Sequence, residues 1–570
     1  MDDKVLDPLK YYEGQGKQEH RANIEEHLNG LIEKSGIDIE ENRETMAKWK
    51  KEQEEIASLT KVIKKFKLFR ILLIAGIVVG SLLTLSAFGT FGESFIMGLL
   101  KLVVGGGALA ASIVVMIKKV NPVIKDTDTV CKEHTKIATD LENEGWVQMR
   151  GLNTLFTDED AIRLVEKTLP EFSFDKSFTV EHEKFFVDKY DFFDLQTDDC
   201  SMIDTLSGKH AGNPFLYGRR RVHKLGTQKY HGSLKITWTE TYKDSQGRLQ
   251  TRTKTETLKA SVDKPKPFYR SNTFLAYGNQ AAPNLSFSRV SQHSDRLSEK
   301  ALEKRIKKGE HKLQKQASKD MKNGGNFQEM ANSEFDVLFG ATDRDNEVEF
   351  RLMYTPLAQR STVDLIKDSK NYGDDFDFIK QGKCNIVSSD HAQKWDMSLL
   401  ASDYKHFNFE EIKSKFISKN ANYFKSIFFD FAPFFCVPAY LDEPCVSMDS
   451  DSSYKTNFTY YEHEVMANAL DYNSFVHEES CTEAILKTQT INVTDSGDLV
   501  AVTANSYMGI DRIDYVSVKG GDGNYHNVPV PWIEYIPVSK TSHIFISKAD
   551  EPNDCATVCY HGMGAGIVNN

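Results

Sequence analysis

Five residues towards the C-terminal end have types and spacings that could hold a metal: His477, Cys481, Cys555, Cys559 and His561. His477 and Cys481 stand four apart, which on a helix puts both on one face, and Cys555-x-x-x-Cys559-x-His561 would complete a structural zinc site. Only the second half has the ligand spacing of a zinc knuckle, so ordinary thiols are the competing reading, and no other cofactor is expected. His463-Glu464 begins like a helical zinc-protease motif, but Ala467 stands where the second histidine belongs. There is no G-x-x-x-x-G-K-S/T, no G-x-S-x-G and no strand followed by G-x-G-x-x-G. A phosphate-cradling loop, a nucleophile elbow and a dinucleotide fold are thereby set aside, and no catalytic residue is identified.

A second kind of chemistry, contact with polyanions, is concentrated between Ser291 and Asn323, where ten Lys and Arg face five Asp and Glu. On the expected helix, Lys304, Arg305, Lys307, Lys308 and Lys312 give a basic face, while Leu302, Ile306 and Leu313 form a thin stripe that rests on the domain. Anionic lipid is the first candidate ligand. Nucleic acid is a weaker one, because the whole chain carries 71 basic against 82 acidic residues, a net charge of -11. A solvated surface helix is the plain alternative. Arg219 to Arg221 carry no weight alone, and the acidic runs Asp374-Asp375-Phe376-Asp377 and Asp449 to Asp451 lack calcium-loop spacing and read as solvated loops.

The clearest elements available to position these groups are two apolar runs between Ile71 and Ile117, spans at about 71–90 and 96–117. Each is long enough to cross a hydrocarbon core of about 30 Å. Lys61, Lys64, Lys65, Lys67 and Arg70 precede the pair and Lys118, Lys119 and Lys125 follow it, whereas the connection near Gly89 to Ser94 carries only Glu93. The positive-inside rule then places both termini in the cytoplasm and the protein in the cell (inner, cytoplasmic) membrane. Lys101 reads as a snorkelling residue near the outer interface. Gly76 and Gly80, and Gly105 to Gly107 with Ala110, Ala111 and Ser112, permit close helix packing. The charged first 60 residues read as no cleavable leader, and eight scattered cysteines read as a reducing compartment.

The fold class expected is a multidomain α+β membrane protein. Residues 1–69 form a charged, coiled-coil-like helical N-terminus, with Gly30 and Gly36 dividing it into two helices. Residues 70–118 are the transmembrane hairpin and 119–150 a helical connector. Residues 151–290 are an α+β domain with a β-hairpin at 233–262, in which Tyr242 pairs with Leu249, Trp238 with Thr253 and Ile236 with Thr255. The basic helix occupies 291–323, a second α+β domain 331–440, and a separate β-rich module 441–570, with strands at Thr488–Val493, Leu499–Thr503, Ile513–Val518, Val528–Tyr535 and His543–Ser547. Within 331–440 a strand is expected through Val348–Met353, a helix from Leu357 to Asp368 with Thr355 as cap and Pro356 in its first turn, a strand at Cys384–Val387 and a helix at Glu410–Phe429.

The run Phe335-x-Val337-x-Phe339, an acidic loop, Glu349-x-Arg351 and Thr355-Pro356 resembles a motif of an uncharacterised family of bacterial two-pass membrane proteins with a conserved domain of unknown function. Phe350 stands where that pattern tends to have a small residue. The resemblance implies a charged helical N-terminus, a membrane hairpin and a larger soluble region, and it implies no activity. Glu349 and Arg351, two apart on a strand, would share a face in a structural salt bridge.

These readings converge on a membrane-anchored, cytoplasm-facing interaction or scaffold protein. Its expected partners are the lipid bilayer and a protein, or a second copy joined through the N-terminal helices and the hairpin. The alternatives are a membrane-tethered hydrolase-like enzyme and a sensor of anionic lipid or nucleic acid working through the basic helix.

Overall fold

The structure, a computed structural model, describes residues 7–90, 95–192, 197–243, 245–325, 327–394, 397, 399–442, 458–494, 496–547, 558–560 and 563–568, the last two stretches as backbone. The connection at 91–94, Cys445, Asp449–Asp451, Cys555 and His561 lie outside these residues. The chain divides into two compact units: Met1–Asn23 with Asp158–Leu399 and Asn420–Asn570, and Ile24–Thr157 with Leu400–Lys419.

After a short helix α1 (Pro8–Tyr11), the second unit is built from α2 (Lys17–Ser35), α3 (Ile39–Thr90), α4 (Phe95–Val115), α5 (Asn121–Gln148) and α6 (Arg150–Asn153). Gly36, at φ +62°, ends α2 in the left-handed region that glycine adopts without penalty. Gly30 lies inside α2 without breaking it. One helix, α3, carries the charged segment and the first apolar run without interruption, and α4 continues through a π turn into α5. Both long helices are apolar and long enough to cross a membrane. Leu72, Leu82, Leu85, Ile96 and Val103 are exposed, a surface compatible with hydrocarbon.

Small residues hold these two helices together. A Cβ at Gly80 would come within 2.9 Å of the Gly105 carbonyl oxygen, and one at Gly105 within 2.9 Å of the Thr84 backbone nitrogen. Lys101 donates to the Thr90 hydroxyl at 3.0 Å. The charged half of α3 packs along α5 of the same chain, with Glu52 and the His134 Nδ1 2.6 Å apart and Met46 and Ile63 buried.

The first unit contains two sheets. One has seven strands in the order β1-β2-β3-β4-β7-β6-β5: β1 (Phe172–Phe174), β2 (Cys200–His210), β3 (Asn213–Lys243), β4 (Leu249–Gly278), β5 (Ser286–Arg289), β6 (Phe376–Gln381) and β7 (Cys384–Ser389). The other has five in the order β11-β12-β10-β9-β8: β8 (Ile485–Val493), β9 (Gly497–Lys519), β10 (Tyr525–Ser547), β11 (Val558–Tyr560) and β12 (Met563–Val568). Helices α7 (Asp160–Thr168), α8 (Val180–Tyr190), α9 (Glu299–Lys322), α10 (Ser333–Phe339), α11 (Glu347–Met353), α12 (Pro356–Lys367), α14 (Ala439–Asp442) and α15 (Tyr460–Ala469) surround them, together with the phenylalanine-rich α13 (Phe409–Phe435), whose C-terminal part belongs to this unit. One hydrophobic core joins both sheets: Met202, Leu216 and Phe274 from the first meet Leu486, Val502 and Ile544 from the second around Tyr461, Val465 and Met466 of α15.

Four expectations are corrected. Val348–Met353 is α11 rather than a strand, because Asn346 caps it by accepting from the Glu349 N–H and because Phe350 and Met353 are buried at helical spacing. On a helix, Glu349 and Arg351 point about 200° apart. Glu349 accepts from Asn284, Arg351 donates to the Glu329 carbonyl, and the expected salt bridge is replaced by these contacts.

The β-hairpin extends far beyond 233–262, and its register is shifted by one. Tyr242 pairs with Gln250, Trp238 with Lys254 and Ile236 with Glu256. A one-residue slip exchanges the faces, so the threonines pair with one another (Thr237 with Thr255, Thr239 with Thr253, Thr241 with Thr251) and the apolar residues share the opposite face.

The C-terminal strands are not a separate module, since they lie in the same compact unit as residues 158–399, and four of the five expected strands merge into β9 and β10. The acidic run at 374–377 is not a solvated loop: Asp374 is fully buried against Arg289. The helices expected from Leu357 and from Glu410, the strand from Cys384, and the Thr355 cap with Pro356 in the first turn are present as read.

Candidate functional site

The feature that most departs from an ordinary packed domain is the outer part of the two long hairpins. β2 accompanies β3 only as far as Val222, and β7 accompanies β4 only from Leu275 to Gly278. Over the remaining length of about 20 residues per strand, β3 and β4 pair with each other alone, and at about 3.3 Å per residue this is a projection of roughly 65 Å. β9 and β10 likewise outrun β8, which stops at Asn505, and β12, which starts at His543.

The two projections pack face to face into a two-layer blade. Ile236, Leu258 and Val528 form its small core, flanked by Leu234, Trp238, Ala260 and Val518. Lys264 sits 4.2 Å over the Trp532 ring and 2.6 Å from Asp514, which also accepts from the Trp532 Nε1 at 2.9 Å. Glu256 accepts from the Gly521 N–H at 2.7 Å. Gly232 is required where the layers come closest, since a Cβ there would lie 2.0 Å from the Pro529 carbonyl oxygen.

The blade has open edges, and prolines close two of them, the outer edges of β4 and β10, to strand addition. Pro529, Pro531 and Pro537 on β10, and Pro265 and Pro267 on β4, occupy alternate positions through which pairing continues without a break. Their missing N–H groups must therefore fall on the unpaired edge. The blade also presents apolar groups on its surface: an exposed patch of Ile513 and Tyr515 opposite Pro531 and Pro529, and exposed Tyr242, Leu249 and Tyr525 at the hairpin ends. Aromatic residues of this kind on a rigid support are the usual anchors of protein interfaces.

No family model, no curated protein and no solved structure matches this chain. What its parts can do therefore rests on their geometry.

The basic segment is α9, seated on α10 through Leu313, Phe327 and Val337. Gly309 allows the seat, because a Cβ there would lie 2.4 Å from the Val337 side chain. Lys304, Lys308 and Lys312 line a cleft of about 780 Å³ beside the 336–342 segment. Arg305 has a structural task, donating to the Gln292 carbonyl at 2.8 Å and to the Ser294 hydroxyl at 3.2 Å. Lys307 is exposed at the margin of the same face. Lys315, also in the cleft, was missed, although its spacing from Lys308 and Lys312 is the helical signal that would have found it.

The metal set is not assembled among the described residues. His477 and Cys481 lie in a turn after α15 rather than on a helix, and the Nδ1 of His477 accepts from the Glu479 N–H at 3.2 Å. Cys559 is on β11 opposite Gly564, while Cys555 and His561 lie outside the described residues. No group of three or more potential ligands occurs among the described residues.

Two buried ionic networks were not foreseen, because their members are scattered in sequence. His391 bridges two carboxylates, with Nδ1 2.8 Å from Asp375 and Nε2 3.3 Å from Asp430, and Tyr372 stacks on its ring at 3.8 Å. Burial lowers the pKa of His391, but Asp430 and Asp375 outweigh it and the net shift is upward. Burial raises the pKa of Asp430 even though His391, Ser389 and Tyr217 oppose it. The second network lies on α15, where Glu462, His463 and Glu464 are all buried. Glu462 accepts from the Phe178 N–H and the Thr205 hydroxyl, Glu464 pairs with Lys487 at 2.7 Å, and His463 lies 3.2 Å from Asp498. Burial pushes Glu462 up to about 7. Enclosed in this way, both sets of contacts fix the packing of segments distant in sequence.

Proposed function

We propose that this chain is a membrane-anchored interaction protein that binds a protein partner through its β blade. The carrying observation is the blade itself: a projection stiffened by a core of its own, closed to strand addition along its proline-bearing edges, and bearing exposed Tyr242, Leu249, Ile513, Tyr515 and Tyr525. Anchoring is supported by the two apolar helices and their small-residue contact, and the lysines that flank them favour cytoplasmic termini.

The test is site-specific photocrosslinking of the full chain in its native membrane. A crosslinking residue at Tyr515 or Tyr525 is expected to trap one and the same protein, and Tyr515→Ser with Ile513→Ser to abolish the adduct formed at position 525. Absence of any adduct from either position, in protein that resists alkaline extraction from the membrane, overturns the blade reading. Release by alkaline extraction overturns the anchoring.

A further inference from the structure

The exposed face of α9 has a charge pattern that packing does not require. At 3.6 residues per turn, all eight lysines of the helix (300, 304, 307, 308, 312, 315, 319 and 322) fall within an arc of about 140°. Leu302, Ile306, Gly309, Leu313 and Ala317 fall on the opposite side, where Leu313 and Ala317 pack into the local core. The acidic residues of the helix also lie on that opposite side. Glu310 accepts from the Ser333 hydroxyl at 2.6 Å and Asp320 from the Phe327 N–H at 2.8 Å. All eight lysines are exposed, and none has a side-chain hydrogen bond or ion pair among the described residues. Eight like charges on one face repel one another, and among the described residues no ion pair offsets that cost.

We propose that this lysine face binds the anionic headgroups of a lipid bilayer. A helix of 24 residues is about 36 Å long, and its lysines form a nearly straight stripe that a planar array of phosphates can meet along its whole length. The ligand chemistry is diffuse. The one arginine of the helix is turned to the Gln292 carbonyl, so the face offers point charges rather than the bidentate forks that read a particular phosphate or base. α9 carries no Phe, Tyr or Trp to stack on bases, which together with the net charge of -11 favours lipid over nucleic acid. The apolar side of α9 is seated on its own domain, so the contact is electrostatic and superficial, without insertion of the helix. The cleft at Lys304, Lys308, Lys312 and Lys315 is wide enough to admit a headgroup. The inference rests on the anchoring part of the proposed function, because a chain held at a bilayer meets its headgroups at high effective concentration.

The experiment uses the full chain in lipid nanodiscs of phosphatidylcholine alone or with about 30 mol % phosphatidylglycerol. The acylation rate of each lysine is read by mass spectrometry, with exposed Lys259 on the blade as internal reference. Lys308, Lys312 and Lys315 are expected to react at least roughly threefold more slowly in the anionic discs, with protection lost in about 0.5 M salt. Lys304→Glu with Lys319→Glu is expected to remove the protection of the remaining lysines. Equal rates in both discs overturn the proposal. Protection by a soluble RNA oligonucleotide in phosphatidylcholine discs, without protection by phosphatidylglycerol, overturns it in favour of nucleic acid. Failure of the chain to enter discs at all refutes the anchoring instead.

Discussion

Gly76 faces Ser112 across the two apolar helices, so that a Cβ at position 76 would stand 3.9 Å from the Ser112 Cβ and 2.9 Å from its hydroxyl oxygen. One turn further along the first helix and two turns back along the second, the same closeness recurs at Gly80 and Gly105, and between helices that bury little else a close backbone approach is what supplies packing energy.

This separation matches the Cβ···Cβ distance of a disulfide, about 3.8 Å. Gly76→Cys with Ser112→Cys is therefore expected to crosslink under mild oxidation in membranes, so that the fragments produced by a protease site introduced at 91–94 stay joined until reduced. Gly76→Cys with Gly106→Cys is expected to remain reduced, because Gly106 has nothing within 4 Å of its added Cβ.

In the blade, Gly232→Val places a side chain where the Pro529 carbonyl oxygen already lies. The layers must separate, at a cost of roughly 1–3 kcal/mol confined to the projection. Hydrogen exchange at residues 225–262 and 510–535 is expected to rise, while protection in β6 and β7 stays unchanged.

Glu462 gives a pH dependence of defined sign. Its folded pKa of about 7 lies above the ordinary value of 4.5, because burial outweighs the hydrogen bonds from Phe178 and Thr205. The folded state keeps the proton where the unfolded state has lost it, so stability from this residue is fully present below about 4.5 and is lost as pH rises to about 7. Glu462→Gln is expected to flatten that decline and to be the more stable form above pH 7, by on the order of 2–3 kcal/mol at most. His20 runs the other way. Burial holds its imidazole down at about 4, so its contribution is lost as pH falls from 6.5 towards 4. Urea denaturation across pH, for the parent chain and both Glu462→Gln and His20→Asn, separates the two windows.

Local chemistry by itself determined the apolar helices, the break at Gly36, the cap at Thr355 with Pro356 behind it and the helix at 299–322. Each depends on residues a few positions apart. Val348–Met353 was misread for a related reason: alternation over six residues fits either element, and the cap at Asn346 decides for the helix. Of the basic site, Lys304, Lys308 and Lys312 were legible from composition, while the inward turn of Arg305 depends on the Gln292 carbonyl and the Ser294 hydroxyl, supplied by another segment.

Only the tertiary structure decided the rest. The blade exists because residues near 236 meet residues near 528, a pairing that no local pattern encodes. The register of β3 and β4 follows from which face that contact buries, and an acidic run that looks solvated in the sequence becomes a buried partner once Arg289 is brought to Asp374. Burial is a property of what the rest of the chain places around a residue, and that is why the charged residues most consequential here, Asp374, His391, Asp430 and Glu462, carry no signature in the sequence.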